Sequence, residues 1–264
     1  MQELWKRWSC MGIGRFCAMC CTIALLHQGT AVSSVQAAGL AGVACQQTFE
    51  NDWADELNRQ YEMCHNLVKA IGNVQFYWNL VNAKPYIEDT QDYHEADSVD
   101  LFFIGTHGGV EGDRAVWGMW NDWSLAESQE MRLGDDNRRL SIFSSYACYT
   151  MKLDNLTSRY RNIMRGGLRF ATGSHDTVWT GWTLTDVGED YANNLKDGDS
   201  IRYAWKDGIS DWYKDQDAAV LTTGRTSEDC NNRLSRMTWK NYTSFPRLPD
   251  NSSVWYCWTY WSDL

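Results

Sequence analysis

His107 and Cys148 are the two residues of this 264-residue chain best placed to do chemistry. Val99-Asp-Leu-Phe-Phe-Ile104 reads as a strand, and Gly105-Thr106-His107-Gly108-Gly109 follows it directly. Leu140-Ser-Ile-Phe-Ser-Ser-Tyr-Ala147 reads as a second strand, and Cys148 follows that one. A histidine beside a thiol takes its proton or stabilises its thiolate, which is the nucleophilic form. Glycine after the histidine lets the backbone approach a substrate closely. The N–H groups of Gly108 and Cys148 would then face a developing oxyanion. Taken singly, each residue has a plainer reading: a structural histidine near glycines, and a small buried hydrophobe at a strand end. Nucleophilic catalysis is suggested by the pair, each member at the end of its own strand.

The elements that must position them follow from hydrophobic periodicity. Ala54, Leu57, Tyr61, Cys64, Val68 and Ile71 form one stripe of a helix that Asn51 or Asp52 can cap. Val74–Trp78 is a short strand. Leu153, Leu156, Tyr160 and Ile163 mark a helix stopping at Gly166-Gly167, and Leu168–Thr172 is the next strand. A helix through Leu184, Val187, Tyr191 and Leu195 ends at Gly198, and another carries Ile201, Trp205, Ile209 and Trp212. Ala218–Thr222 is a further strand, and Val254–Trp261 an edge strand tied back by Cys257. Strands alternating with helices predict a mainly parallel sheet covered on both faces, with its chemistry beyond the carboxyl ends of the strands. His107, Cys148 and His175 all fall on that edge. His175 would line the cleft or replace His107 as the base.

The two motifs, Asp100-Leu-Phe-Phe-Ile-Gly-Thr-His107-Gly108-Gly109 and Ile142-Phe-Ser-Ser-Tyr-Ala147-Cys148-Tyr149, resemble those of the caspase, legumain and gingipain superfamily of cysteine peptidases. The resemblance covers about residues 74–222, and the 41-position separation is closer to the legumain and gingipain branches. It implies an α/β fold of the caspase-like three-layer sandwich type. It also implies Cys148 as nucleophile, His107 as proton donor to the leaving group, and an oxyanion hole at Gly108 and Cys148. The match is partial: Tyr149-Thr150 follows Cys148 where caspases carry Arg-Gly, and Tyr146 precedes Ala147 where legumains carry Glu. Asp176 is the acid nearest the expected specificity pocket and would suit a basic residue.

Metal ligation competes for some of the same side chains. His107, Asp113, His175 and Asp176 could gather zinc, yet no His-x-x-x-His or Cys-x-x-Cys spacing supports it. Gly134-Asp135-Asp136-Asn137 lacks the twelve-residue calcium pattern and reads as a solvated turn. No metal and no cofactor is expected. Tryptophans recur at spacing three, as Trp117, Trp120 and Trp123, then Trp179 and Trp182, then Trp255, Trp258 and Trp261. The first two sets would either wall a cleft, with Trp117 and Trp179 contacting substrate, or fill the core. A cleft so lined supports a rival function, a catalytically inactive secreted module that binds peptide or carbohydrate.

Residues 1–37 read as a secretory signal: Lys6, Arg7 and Arg15, then the apolar run Phe16–Leu26, then Val35-Gln36-Ala37 at a small-x-small cleavage site. That run is too short to span a bilayer. Without the leader's three basic residues and one acid, the net charge goes from −10 to −12, with no broad basic surface for nucleic acid. Four of nine cysteines leave with it, so Cys45, Cys64, Cys148, Cys230 and Cys257 remain. Four cysteines admit three connectivities; pairing Cys45 with Cys64 and Cys230 with Cys257 is the most local. Cys148 is the odd one out. The expectation is therefore a signal peptide at 1–37 and one caspase-like domain at 38–264. This would be an exported, disulfide-bonded cysteine hydrolase acting on peptide or protein, with no nucleic-acid partner and no membrane span after signal removal.

Overall fold

Apolar side chains alternate between the faces of each central strand, and this alternation divides the core in two. The computed structural model describes residues 39–46, 54–79, 87, 95–118, 125–135, 138–179, 185–210, 216–248 and 254–264. The predicted signal, the helix cap at Asn51 or Asp52, Trp120, Trp123, Trp182, Trp212 and the Asp136-Asn137 turn lie outside them. In chain order the elements are β1 (Ala41–Cys45), α1 (Ala54–Ile71), β2 (Val74–Asn79), β3 (Leu101–Gly105), β4 (Gly108–Glu111), β5 (Arg114–Gly118) and β6 (Leu125–Glu127). They continue with β7 (Ile142–Tyr146), short helices α2 (Leu156–Arg159) and α3 (Arg161–Arg165), β8 (Phe170–Ser174), α4 (Val187–Asp197), α5 (Ile201–Ile209), β9 (Ala218–Gly224), α6 (Ser227–Arg236) and β10 (Trp255–Trp261).

The large sheet has seven strands in the order β10-β9-β8-β7-β3-β1-β2. Strands β2, β1, β3, β7 and β8 are mutually parallel, while β9 runs antiparallel to both β8 and β10. Leu101, Phe103, Ile142, Tyr146 and Val220 point to one face, where Met63, Leu67, Tyr191 and Trp205 of α1, α4 and α5 cover them. Phe102, Ile104, Phe143, Ala171 and Leu221 point to the other, under Leu156, Tyr160 and Ile163 and the small sheet β4-β5-β6. Both faces are thus buried, which is why these strands read as nearly continuous apolar runs. The mainly parallel α/β sandwich expected from the sequence is the architecture observed.

Differences in detail have local causes. The helix expected through Leu153 to Ile163 is two short ones, broken at Tyr160, whose φ −92° and ψ 0° lie outside helical values. Gly198 closes α4 at φ 103°, the left-handed geometry a glycine terminator supplies. The buried side of α1 is Gln60, Met63, Cys64, Leu67 and Ile71, rotated from the predicted stripe. Tyr61 instead stacks at the helix surface with His65 and Tyr77. Cys45 is bonded to Cys64 and Cys230 to Cys257, with Cα separations of 6.3 and 5.8 Å. The local connectivity is the one present, and Cys148 is the free cysteine among the described residues.

Candidate functional site

Register decides what meets at the carboxyl edge. Strands β3 and β7 are adjacent and parallel, with Leu101 opposite Ile142 and Gly105 opposite Tyr146. His107 and Cys148 each lie two positions past that last pair. Thr106 N–H continues the ladder by donating to Tyr146 O at 3.2 Å. The Thr106 hydroxyl donates to Gly118 O at 2.6 Å and Gly118 N–H to His107 O at 2.8 Å, which ties the histidine loop to β5. His107 is solvent-exposed. The Gly108 backbone lies against the Ala147 side chain and the Cys148 carbonyl. A Cβ at Gly108 would sit 2.6 Å from Cys148 O and 2.8 Å from Ala147 Cβ, so only glycine fits there.

The chain turns sharply after Cys148. Tyr149 adopts φ 58°, a left-handed value that costs a tyrosine about 1–2 kcal/mol and is held by tertiary contacts. Its N–H donates to Asp176 O at 2.8 Å, and its hydroxyl accepts from Thr177 Oγ1 at 3.0 Å. The turn brings Cys148 Sγ to Val178, accepting from its N–H at 3.4 Å and reaching its carbonyl oxygen at 3.6 Å. Tyr146 OH donates to Trp179 O at 2.6 Å, and Trp179 N–H to Gln216 Oε1 at 3.4 Å. Residues 176–179 are therefore laced to the cysteine turn along their length. Burial pushes the Cys148 thiol above its ordinary value and the Asp176 carboxylate adds to that, against a lowering by the Val178 N–H. The resting sulfur carries its proton at neutral pH.

Other residues singled out from sequence take definite places. Asp176 is exposed, and the Thr177 N–H at 2.7 Å, followed by the Tyr149 hydroxyl, holds its carboxyl below the usual range. Trp179 is exposed beside it. Trp117 is not a cleft wall: it is wholly buried, packs edge-on against Phe143, and donates from Nε1 to Ser145 Oγ at 2.7 Å. The indole sits between the small sheet and the large one, so core filling is its role. His175 lies on the predicted edge but is committed to the C-terminal strand. Its Nε2 is 3.1 Å from Trp261 O, 3.2 Å from Ser262 Oγ and 3.4 Å from Asp217 Oδ1, with Tyr260 edge-on to the ring. That geometry fastens β10 and leaves the thiol to other partners. Asp113 sits in the β4–β5 turn, and among the described residues no three His, Cys, Asp or Glu side chains gather as a metal would require.

Sequence reading missed β1, α6 and the small sheet. Strand β1, Ala-Gly-Val-Ala-Cys, is short and small-residued, with weak strand preference. It also missed Gln60, a buried amide on α1 whose nitrogen reaches Thr106 O at 3.4 Å and Tyr146 O at 3.3 Å. Hydrophobic periodicity has no signal for a polar residue on the covered side of a helix.

No curated protein matches this chain. Among solved structures, it is similar to the X-ray structure of a secreted C11 cysteine protease from Bacteroides thetaiotaomicron, "iotapain", at 10% sequence identity and a TM-score of 0.45. The similarity covers 69% of this chain and 65% of that one, so this chain spans about two thirds of that protein's length. A family model described as a domain of unknown function, DUF6345, matches residues 43–263, and this chain belongs to that family.

Proposed function

We propose that this chain is an exported cysteine peptidase using Cys148 and His107. The observation carrying the reading is the β3–β7 register. It sets His107 and Cys148 at equivalent positions past one ladder pair and lays the Gly108 backbone on the Cys148 carbonyl. In the reaction the thiol proton passes to His107 as sulfur bonds to the substrate carbonyl carbon. Gly108 and Cys148 N–H groups hold the oxyanion. His107 then delivers that proton to the departing amine as the C–N bond breaks. Water hydrolyses the thioester, releasing the acid and restoring the thiol. Because the resting thiol is protonated and reaches the Val178 carbonyl oxygen, that contact must yield before attack, while the Val178 N–H favours the thiolate. The exposed, ionised Asp176 beside the cysteine turn supports a basic residue before the scissile bond. Two cystine pairs support an oxidising, extracytoplasmic location. No helix among the described residues is long and apolar enough to cross a membrane.

The rival reading, an inactive binding module, loses Trp117 and has to rest on exposed rings such as Trp179, Trp258 and Tyr260. A proteome-derived peptide library separates the two. Incubation with the protein, followed by mass spectrometry of new N-termini, should yield cleavages enriched after Lys and Arg. Cys148→Ala and His107→Ala should each abolish them. Equal cleavage by Cys148→Ala, or none by the wild type, would sink the peptidase.

A further inference from the structure

We propose that Gln60 is a positioning residue for the Cys148–His107 pair, a role that rests on the dyad reading above. Gln60 is 4% exposed on the sheet-facing side of α1. Its side-chain amide donates one hydrogen to Thr106 O at 3.4 Å and the other to Tyr146 O at 3.3 Å. Thr106 precedes His107 by one residue, and Tyr146 precedes Cys148 by two. The ladder between β3 and β7 ends at Gly105 and Tyr146, after which the Thr106 N–H to Tyr146 O bond joins the chains. One amide spanning both carbonyls therefore sets the separation of the two strand ends where the sheet stops setting it.

The helix carrying Gln60 is itself fixed at this edge. Cys64, one turn further along α1, is bonded to Cys45 at the end of β1. Gly105 packs against that disulfide: a Cβ there would lie 2.7 Å from Cys45 Sγ, 3.1 Å from Cys64 Sγ and 3.4 Å from Gln60 Cγ. Gln46 N–H donates to Gly105 O at 2.9 Å from the β1 side. The segment leading to His107 is thus enclosed by β1, β7 and α1. A buried amide left unpaired is destabilising, so its hydrogens go to these acceptors, and an isosteric apolar side chain would fill the volume without them.

The pH profile of Cys148 alkylation by iodoacetamide tests this, read on the Cys148 peptide by mass spectrometry in the full chain. Wild type should show a neutral-range limb from the pair that His107→Ala lacks. Gln60→Met keeps the volume but loses both donors. It should lower the rate at neutral pH about tenfold, less than the roughly hundredfold that a 1 Å misplacement can cost. In a His107→Ala background it should change nothing further. Gln60→Ala should behave as Gln60→Met does. A wild-type profile in Gln60→Met alongside a collapsed one in His107→Ala would overturn the positioning role and leave the dyad standing. So would an equal loss from Gln60→Met in both backgrounds. An unchanged profile in His107→Ala would overturn the dyad and the positioning together.

Discussion

Asp97 is a single residue that ties the stability of this protein to pH. Asp97, in the turn before β3, is fully buried. Its Oδ1 accepts from Gly134 N–H at 2.7 Å. Burial raises its carboxyl to about 7, Asp135 adds to the rise, and the Gly134 N–H and Arg247 oppose it. The folded value stands above the unfolded one, so the folded chain holds a proton that the unfolded chain releases. That stability is fully present below about pH 4 and is lost as pH rises through 7, a span of about 4 kcal/mol. Asp97→Asn keeps an acceptor for Gly134 and removes the titration. Urea unfolding across this range should show a much flatter pH slope in the variant, with about 2 kcal/mol gained at pH 8 after allowing for the unpaired amide. An unchanged slope would show that Asp97 does not govern it. The thiol of Cys148 is likewise raised by burial.

At the scale of elements, β10 is one of the two edge strands of the large sheet, and cross-links help to hold it. Among the described residues it pairs with β9 alone, antiparallel, from Trp255 opposite Gly224 to Trp261 opposite Ala218. Cys257 ties it to Cys230 in α6, closing a sequence separation of 27, and the Nε2 contacts of His175 hold its far end. Trp255, Trp258 and Tyr260 remain exposed, so burial alone holds it weakly. Replacing Cys230 and Cys257 together by serine should cost about 3 kcal/mol in urea unfolding. Hydrogen exchange should find β10 losing protection ahead of β3 and β7. Uniform loss across the sheet would mean that β10 is not a separately cross-linked unit.

Across the whole molecule, the charges add up to a net negative field. The chain carries −10 overall, and the exposed Asp176 flanks the cysteine turn. Cationic peptides should therefore be drawn to the site by a long-range field. Raising salt from about 0.05 to 0.5 M shortens the screening length from about 14 to about 4 Å. If the peptidase reading holds, kcat/KM for Lys- or Arg-containing peptides should fall several-fold over that range, and that for acidic peptides should rise. A salt-independent preference would assign selectivity to short-range contacts alone.

How much of this could be read beforehand follows from which forces are local. The apolar runs ending at Ile104 and Ala147, the glycine beyond α4 and the cysteine spacing each report a neighbourhood of a few residues. They were enough to predict a covered parallel sheet, local cystine pairs and two chemical groups on one edge. Trp117 shows where that reading stops. An indole at a spacing of three looks the same in sequence whether it faces a cleft or, as here, a second sheet. His175 was placed on the right edge, but its engagement by Trp261 and Ser262 depends on a strand 80 residues later returning beside β9. Gln60 gave no signal, because a buried amide is recognised only by the carbonyls it meets, and those lie 46 and 86 positions away. The sequence by itself determined which strand ends carry the histidine and the cysteine. Only the tertiary structure decided what surrounds the thiol, since burial, Val178 and the turn at Tyr149 arise from contacts between segments distant along the chain.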